Sequence, residues 1–153
     1  MLDPRSKSKE RIVPPAPLPF VSRKPLGRVK DWVAPPSECP YCEGPVKLVN
    51  NSQIYTRSYG DWPFAYWCRP CDAYVGLHPQ TDLPLGTLAD AALRDARKQS
   101  KREFLRVRKK LSMGRGQAYA WLAQRMEIDK KLCHFGMFDG KQCLRAYRIL
   151  KTF

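Results

Sequence analysis

Two Cys-x-x-Cys pairs constrain this chain more than anything else in it. They are Cys39-Pro-Tyr-Cys42 and, after an intervening 25 residues, Cys68-Arg-Pro-Cys71. A pair at this spacing sits on a tight turn that aims two sulfurs at one point. Two such turns, held together by a short antiparallel sheet, complete a tetrahedron. The spacing therefore predicts one structural Zn²⁺ held by Cys39, Cys42, Cys68 and Cys71. Pro40 and Pro70 stiffen the turns. Gly44 follows the first, and Asp72-Ala73 stands in the equivalent place after the second. Four thiolates fill the coordination sphere, whereas catalytic zinc keeps a position for water. His78 is available as a substitute ligand, but the sulfur set is complete without it. The alternative is two disulfides or reduced structural thiols. No secretory signal peptide is visible, which leaves an oxidising compartment without support.

Charge is the second constraint. The chain has 153 residues, room for one modest domain or a small domain with appendages. It carries 28 Lys and Arg against 14 Asp and Glu, a formal charge of +14. Four thiolates around one Zn²⁺ add a net −2, so the metal-bound chain stays near about +12. Such a field attracts polyanions and speeds their encounter; nucleic acid is the commonest partner of this kind, and acidic protein surfaces qualify too. No apolar run approaches the roughly 20 residues that span a bilayer. The expectation is a soluble, cytoplasmic protein with no membrane partner.

The chain divides into three stretches by composition. Residues 1–36 hold eight prolines among interspersed Lys and Arg, which deny a regular helix and favour extended chain. This basic tail reads either as an arm along phosphates or a partner groove, or as a solvated leader. Val13, Leu18, Phe20, Val21 and Trp32 argue that part of it packs on something. Residues 37–86 read as a zinc ribbon. Its strands are expected at Val46–Leu48, Gln53–Thr56, Phe64–Trp67 and Tyr74–Leu77, with a turn at Asn50-Asn51-Ser52. Residues 87–153 read as a helical region packed on the ribbon. The fold class expected is α+β: a Cys₄ ribbon, a long basic helix and a C-terminal helical pair.

Within the helical region, Thr87-Leu-Ala-Asp90 resembles a helix N-terminus, and a helix is expected from about Leu88 to Leu111. Leu88, Ala92, Ala96, Phe104, Val107 and Leu111 fall near one stripe, interrupted by Ser100. Residues 94–110 contain nine basic and two acidic residues. A merely solvated helix mixes signs, so the skew favours a binding face. Two shorter helices are expected at Gln117–Glu127 and Gly140–Leu150, the second behind an Asp139/Gln142 capping box. Cys133, His134 and Cys143 read as buried small thiols and a loop-fixing imidazole, or as half of a second metal site. Adjacent Cys and His diverge too far to share one ion readily.

Several motifs occur in order: Cys39-Pro-Tyr-Cys42, Trp67-Cys-Arg-Pro-Cys71, Ala73-Tyr-Val-Gly-Leu-His78, Pro84-Leu-Gly-Thr-Leu-Ala89, Tyr119-Ala-Trp-Leu-Ala123 and Cys133-His-Phe-Gly-Met-Phe-Asp139 with Cys143. Together they resemble a family of uncharacterised zinc-finger-containing proteins of bacteriophages and their bacterial hosts, over about residues 37–150. The resemblance implies a zinc-binding, phage-type protein of a bacterial cytoplasm and supplies no activity. The chain departs from the family pattern around Ser100 and after Phe104. Basic residues there replace a His and an Asp-Pro-Leu-Trp-like stretch.

The functional expectation is nucleic-acid binding, DNA or RNA, through Arg57, Arg69, Arg94, Arg97, Lys98, Lys101, Arg102 and Arg108. Aromatics interleaved with cations around Tyr55–Tyr59 and Tyr66–Tyr74 suit base stacking and phosphate contact, or else form the ribbon core. The runner-up is a zinc-stabilised interaction module that docks on host transcription, replication or defence machinery. An enzyme is not expected. There is no His-x-Glu beside a Pro-Cys-x-x-Cys and no carboxylate cluster for two-metal chemistry.

Overall fold

A computed structural model describes all residues from Met1 to Phe153. The chain separates into two compact units, Met1–Asp90 and Ala91–Phe153. The elements run α1 (Arg23–Leu26), β1 (Lys47–Asn50), α2 (Ser52–Tyr55), β2 (Phe64–Cys68), β3 (Ala73–Gly76), α3 (Ala91–Lys110), α4 (Arg115–Met126) and α5 (Gly140–Lys151). The architecture is α+β, as its sequence predicts, with an antiparallel sheet in the first unit and a helical second unit.

The sheet of the first unit has the order β1-β2-β3. Leu48, Tyr66 and Val75 stand in register on one face; Lys47, Trp67 and Tyr74 stand in register on the other. The first face carries the core, formed by Phe64, Tyr66, Cys68, Ala73, Val75 and Leu77 with Leu83 and Leu88. Residues 83–89 return beside β3. Leu77 pairs with Pro84, and Tyr74 exchanges backbone hydrogen bonds with Ala89. This return carries the ribbon unit to Asp90, four residues beyond the boundary expected from composition.

Two expected elements change here. The helix expected from Leu88 begins only at Ala91, because Leu88 is buried in the ribbon core and Ala89 pairs with Tyr74. The stretch 53–56 is not a strand. Asn50 Oδ1 accepts the Ser52 N–H at 2.9 Å, and Asn51 O accepts from Ile54 and Tyr55. The asparagines supply local bonds that compete with strand pairing, so the chain coils into α2 and stops at Thr56, in the left-handed region at φ 73°. The N-terminal stretch packs on the ribbon, in keeping with its apolar residues. Leu18, Val21 and Leu26 are buried in the ribbon core, with Ile12, Val29 and Trp32 packed against it. Burying one such aliphatic side chain is worth roughly 1.5–3 kcal/mol. The Ser22 N–H donates to Gln80 O at 2.9 Å, and Phe20 packs on Trp62 at 5.1 Å.

A buried ionic knot fixes the start of this arm. Asp3 caps the 3₁₀ turn Pro4–Ser6. Arg5 reaches Asp3 and Asp82, at 2.7 Å each. The loop bearing Asp82 is itself tied down: Tyr66 Oη donates to Asp82 O at 2.5 Å, and Trp62 Nε1 donates to Thr81 O at 2.9 Å. Burial pushes the Tyr66 hydroxyl well above the ordinary phenol range.

In the second unit α3 packs along α5, and α4 packs on α5. Phe104, Val107, Leu122, Met126, Phe138 and Leu150 are fully enclosed. Ser100, the break in the apolar stripe, is buried with its hydroxyl donating to Ala96 O at 2.8 Å. The capping box at Asp139 is formed in both directions. Cys133 and Cys143 lie in this core, and burial raises both thiols, Cys133 to about 11. His134 is exposed, its ring 5.8 Å from Tyr119. No helix is long and apolar enough to cross a membrane.

The ionic knot makes a measurable contribution. The Arg5 hydrogen bond holds the Asp3 carboxyl below its ordinary value of 3.8 despite burial. A depressed carboxyl stabilises the fold above its unfolded value, and that stabilisation is lost as pH falls through the folded one. Arg5→Ala should destabilise the ribbon unit by roughly 2 kcal/mol, the cost of breaking a buried pair discounted for the water that reaches Arg5. Urea unfolding followed by tryptophan fluorescence should show this at pH 7. The gap between variant and parent should narrow as the pH falls below 3.8 and through the lower value that Asp3 keeps in the folded parent.

Candidate functional site

The first Cys pair sits on a small closed turn. Glu38 and Pro45 pair across it, the Cys39 N–H donates to Gly44 O at 2.8 Å, and the Glu43 N–H donates to Cys39 O at 2.8 Å. Two backbone N–H groups aim at sulfur: Tyr41 at Cys39 Sγ and Gly44 at Cys42 Sγ, both at 3.4 Å. Such donors stabilise a thiolate. The second pair lies on the hairpin between β2 and β3. Cys68 ends one strand opposite Ala73, which begins the next. The Asp72 N–H closes the turn on Arg69 O at 3.1 Å.

The residue after the second cysteine of each pair is left-handed: Glu43 at φ 62° and Asp72 at φ 48°. The left-handed position of the first turn is thus held by Glu43 and not by the glycine that follows it. Gly44 serves a different need, since a Cβ there would stand 3.2 Å from Cys42 Sγ and press on a ligand. The two turns converge. The four sulfurs lie within 4.8 Å of one another, and Cys42 Sγ is 3.6 Å from Cys68 Sγ. A tetrahedron with Zn–S near 2.3 Å has edges of about 3.8 Å. Cys39 and Cys68 are buried; Cys42 is exposed and Cys71 intermediate.

The thiol chemistry fits a divalent cation. Cys71 is pushed up to about 12, first by the neighbouring Cys42 thiol and then by burial. Cys68 is raised too. The Cys71 backbone pulls it down, and burial together with the Cys39 and Cys42 thiols outweighs that pull. Cys39 moves the other way. Burial opposes ionisation there, but the Tyr41 and Cys42 backbone N–H groups and the adjacent thiols overcome it. Cys39 ionises more readily than Cys68 and Cys71, as expected where charges crowd without a counter-ion. A Zn²⁺ removes the resistance of Cys68 and Cys71. With its four sulfurs the site is structural, closed to substrate. His78 is half-buried on the strand exit, its imidazole pKa lowered by burial, and stands outside the sulfur cluster.

The predicted nucleic-acid contacts fall in several environments. At 3.6 residues per turn, Arg94, Lys98, Lys101 and Arg102 share one strip of α3 with Lys109, opposite the buried Ser100, Phe104 and Val107. Arg97 and Arg108 are placed differently. Arg97 Nε donates to Phe138 O at 3.0 Å, and Arg108 Nε donates to Met113 O at 3.2 Å. Both tie the helix to neighbouring backbone. Arg57 is exposed in the loop after α2, stacked 5.0 Å over Tyr59 and donating to its hydroxyl. Arg69 is exposed within the second zinc turn.

Sequence reasoning missed how unevenly the charge is divided. The helical unit holds 17 Lys and Arg against five Asp and Glu, a net +12. The ribbon unit holds 11 against nine, a net +2, which a −2 zinc–thiolate centre cancels. A tally on either side of residue 90 carries this signal, and that boundary becomes visible only once residues 84–89 are seen to pair with β3.

Two substitutions test the metal centre. Cys39→Ser should abolish stoichiometric zinc and unfold the ribbon unit, since binding free energy of order 10 kcal/mol is here folding free energy. Zinc content by atomic emission and the near-ultraviolet circular dichroism of the ribbon tyrosines report both effects. Glu43→Gly should stabilise by about 0.5–1 kcal/mol, the left-handed strain relieved less the extra chain entropy of glycine. Denaturant unfolding of the zinc-loaded protein measures the shift.

No curated protein and no solved structure matches the chain. A family model described as a zinc-finger-containing domain, its function uncharacterised, matches residues 35–153, from just before the first cysteine pair through α5. The chain therefore belongs to this zinc-finger-containing family, and the metal centre it implies is the Cys39/Cys42/Cys68/Cys71 cluster.

Proposed function

We propose that the protein binds nucleic acid through its helical unit and uses the zinc ribbon as a metal-stabilised scaffold. The observation that carries this reading is the concentration of +12 in the 63 residues of that unit, with a basic strip on α3 that exposed Leu105 interrupts before Lys109. Strongly one-signed surface of this kind is the electrostatic footprint of a phosphate-binding protein. The basic N-terminal arm has a more local role. Residues 37–90 hold three basic and six acidic residues, and the arm packed on them carries eight and three. Arg5 shows that offset directly. The reading is of a binding protein and not an enzyme. Its thiolate centre suits a reducing compartment, and a phage-type protein in a bacterial cytoplasm is the setting that the sequence motifs imply.

A second reading rests on a different surface. The ribbon exposes Tyr41, Tyr55, Tyr59 and Leu85 on a unit with almost no net charge. Exposed aromatic and aliphatic side chains on a near-neutral unit suit a protein partner better than phosphates, and docking on host machinery is the corresponding function.

The readings separate on salt dependence. Fluorescence anisotropy with a labelled oligonucleotide should give a linear fall of log K with log salt. The joint Lys98→Ala, Lys101→Ala, Arg102→Ala, Lys109→Ala variant should flatten the slope by about 3–4, at roughly 0.7–0.9 for each phosphate no longer neutralised. Arg57→Ala and Arg69→Ala should change it by no more than about 1 each. A slope unchanged in the four-site variant removes α3 as the contact surface.

A further inference from the structure

The helical unit contains a recess of about 210 Å³, lined by Asp95, Lys98, Gln99, Arg102 and Glu103 of α3 and by Tyr147 of α5. It opens beside the basic strip, and Lys98 and Arg102 belong to both. The two acids are already engaged. Glu103 pairs with Arg106 at 2.7 Å and Lys151 at 3.9 Å, and Asp95 accepts from Gln99 Nε2 at 2.8 Å. Lys98 and Arg102 are exposed at the rim and make no such bond.

Tyr147 is the informative member. Phe104, Tyr119, Phe135 and Phe138 cluster with one another, and Trp121 packs on Phe153. Tyr147 is the one aromatic ring of the unit without an aromatic neighbour; it has the Lys151 ammonium 5.7 Å from its centroid. It stands half-buried as a wall of a charged hollow. The volume falls below the roughly 300–1,000 Å³ of cofactor-sized sites, so the hollow suits one planar group.

We propose that this recess takes one unpaired base of a single-stranded nucleic acid. The base lies on Tyr147, its hydrogen-bonding edge meets the amide and carboxylate atoms that the Gln99–Asp95 bond leaves free, and the flanking phosphates lie on Lys98 and Arg102. An aromatic wall is of use only to a base whose face is free, and a base within a duplex has both faces stacked. A side-chain amide and a carboxylate together offer donors and acceptors to such an edge. This assignment rests on the nucleic-acid reading of the helical unit and narrows it to single strands.

The test uses full-length, zinc-loaded protein with a labelled mixed-sequence single-stranded DNA, the RNA of the same sequence, and the DNA duplex, at one physiological salt concentration. The parent should bind at least one single strand more tightly than the duplex. Tyr147→Leu should weaken that binding by at least about 5-fold, the low end of base–aromatic stacking, and leave duplex binding and the salt slope unchanged. Tyr147→Phe should retain parental affinity. Gln99→Ala, on an exposed position, should alter preference among homopolymer strands and guards against a Tyr147→Leu variant that fails to fold. If Tyr147→Leu and Gln99→Ala bind single strands as the parent does, while the basic-strip variant is still weakened, the recess assignment is overturned and the nucleic-acid reading stands. Tighter binding to duplex than to either strand overturns the assignment in the same way. No binding to any of the three overturns both.

Discussion

Mutual repulsion among four sulfurs is the constraint on which the ribbon unit is built. Sulfurs within 4.8 Å of one another cannot all ionise without a cation, and as neutral thiols they hold two turns together only weakly. Zinc turns that repulsion into the strongest cross-link in the unit. It joins a turn that precedes β1 to the hairpin between β2 and β3, so the three-stranded sheet is closed at one end by metal. The other end is closed by ordinary means: apolar side chains of the arm on one sheet face, and the Arg5 ion pairs with Asp3 and Asp82. A sheet of three short strands is marginal alone, and both closures compensate for its size.

The helical unit solves the opposite problem. It contains no metal ligand of the zinc cluster and encloses a core of its own. Its difficulty is self-repulsion among 17 cations. Part of the answer is that several arginines work inward. Arg97 and Arg108 donate to backbone carbonyls, and Arg106 bonds Glu103 and the Leu150 carbonyl. Arg125 lies over Trp121 at 4.6 Å and over Phe153 at 4.5 Å. These guanidiniums are partly neutralised by dipoles and aromatic faces. Among the cations that point to solvent, Lys98, Lys101, Arg102 and Lys109 form the strip proposed to contact phosphates.

Much of this architecture is legible in the amino-acid sequence. Ligand spacing specifies the four sulfurs, because a Cys-x-x-Cys turn admits little geometric variety. The capping box at Asp139 is an equally local signal, whereas the apolar period of α3 holds for Ala96, Phe104 and Val107 and fails for Leu88, which belongs to the ribbon core, and for the exposed Ala92 and Leu111. What a linear pattern does not convey is competition. Gln53–Thr56 has strand-like composition, but Asn50 and Asn51 offer the backbone nearer partners. The prolines before residue 37 exclude long helices, yet they do not exclude burial of Leu18, Val21 and Leu26 between them. Arg97 and Arg108 share the composition of the basic face and differ from it only in which carbonyl lies within reach. The turn residue at Glu43 departs from glycine preference, and no pattern in the neighbouring residues announces it.

The zinc centre has an electrostatic consequence beyond holding the ribbon together. Metallated, the ribbon unit is close to neutral; with its four thiols protonated it gains two positive charges. Zinc occupancy therefore sets whether the protein presents one cationic unit or two. An under-metallated preparation would adhere to polyanions through an unfolded, positively charged ribbon as well as through the helices. Its apparent affinity would then report on metal loading as much as on recognition.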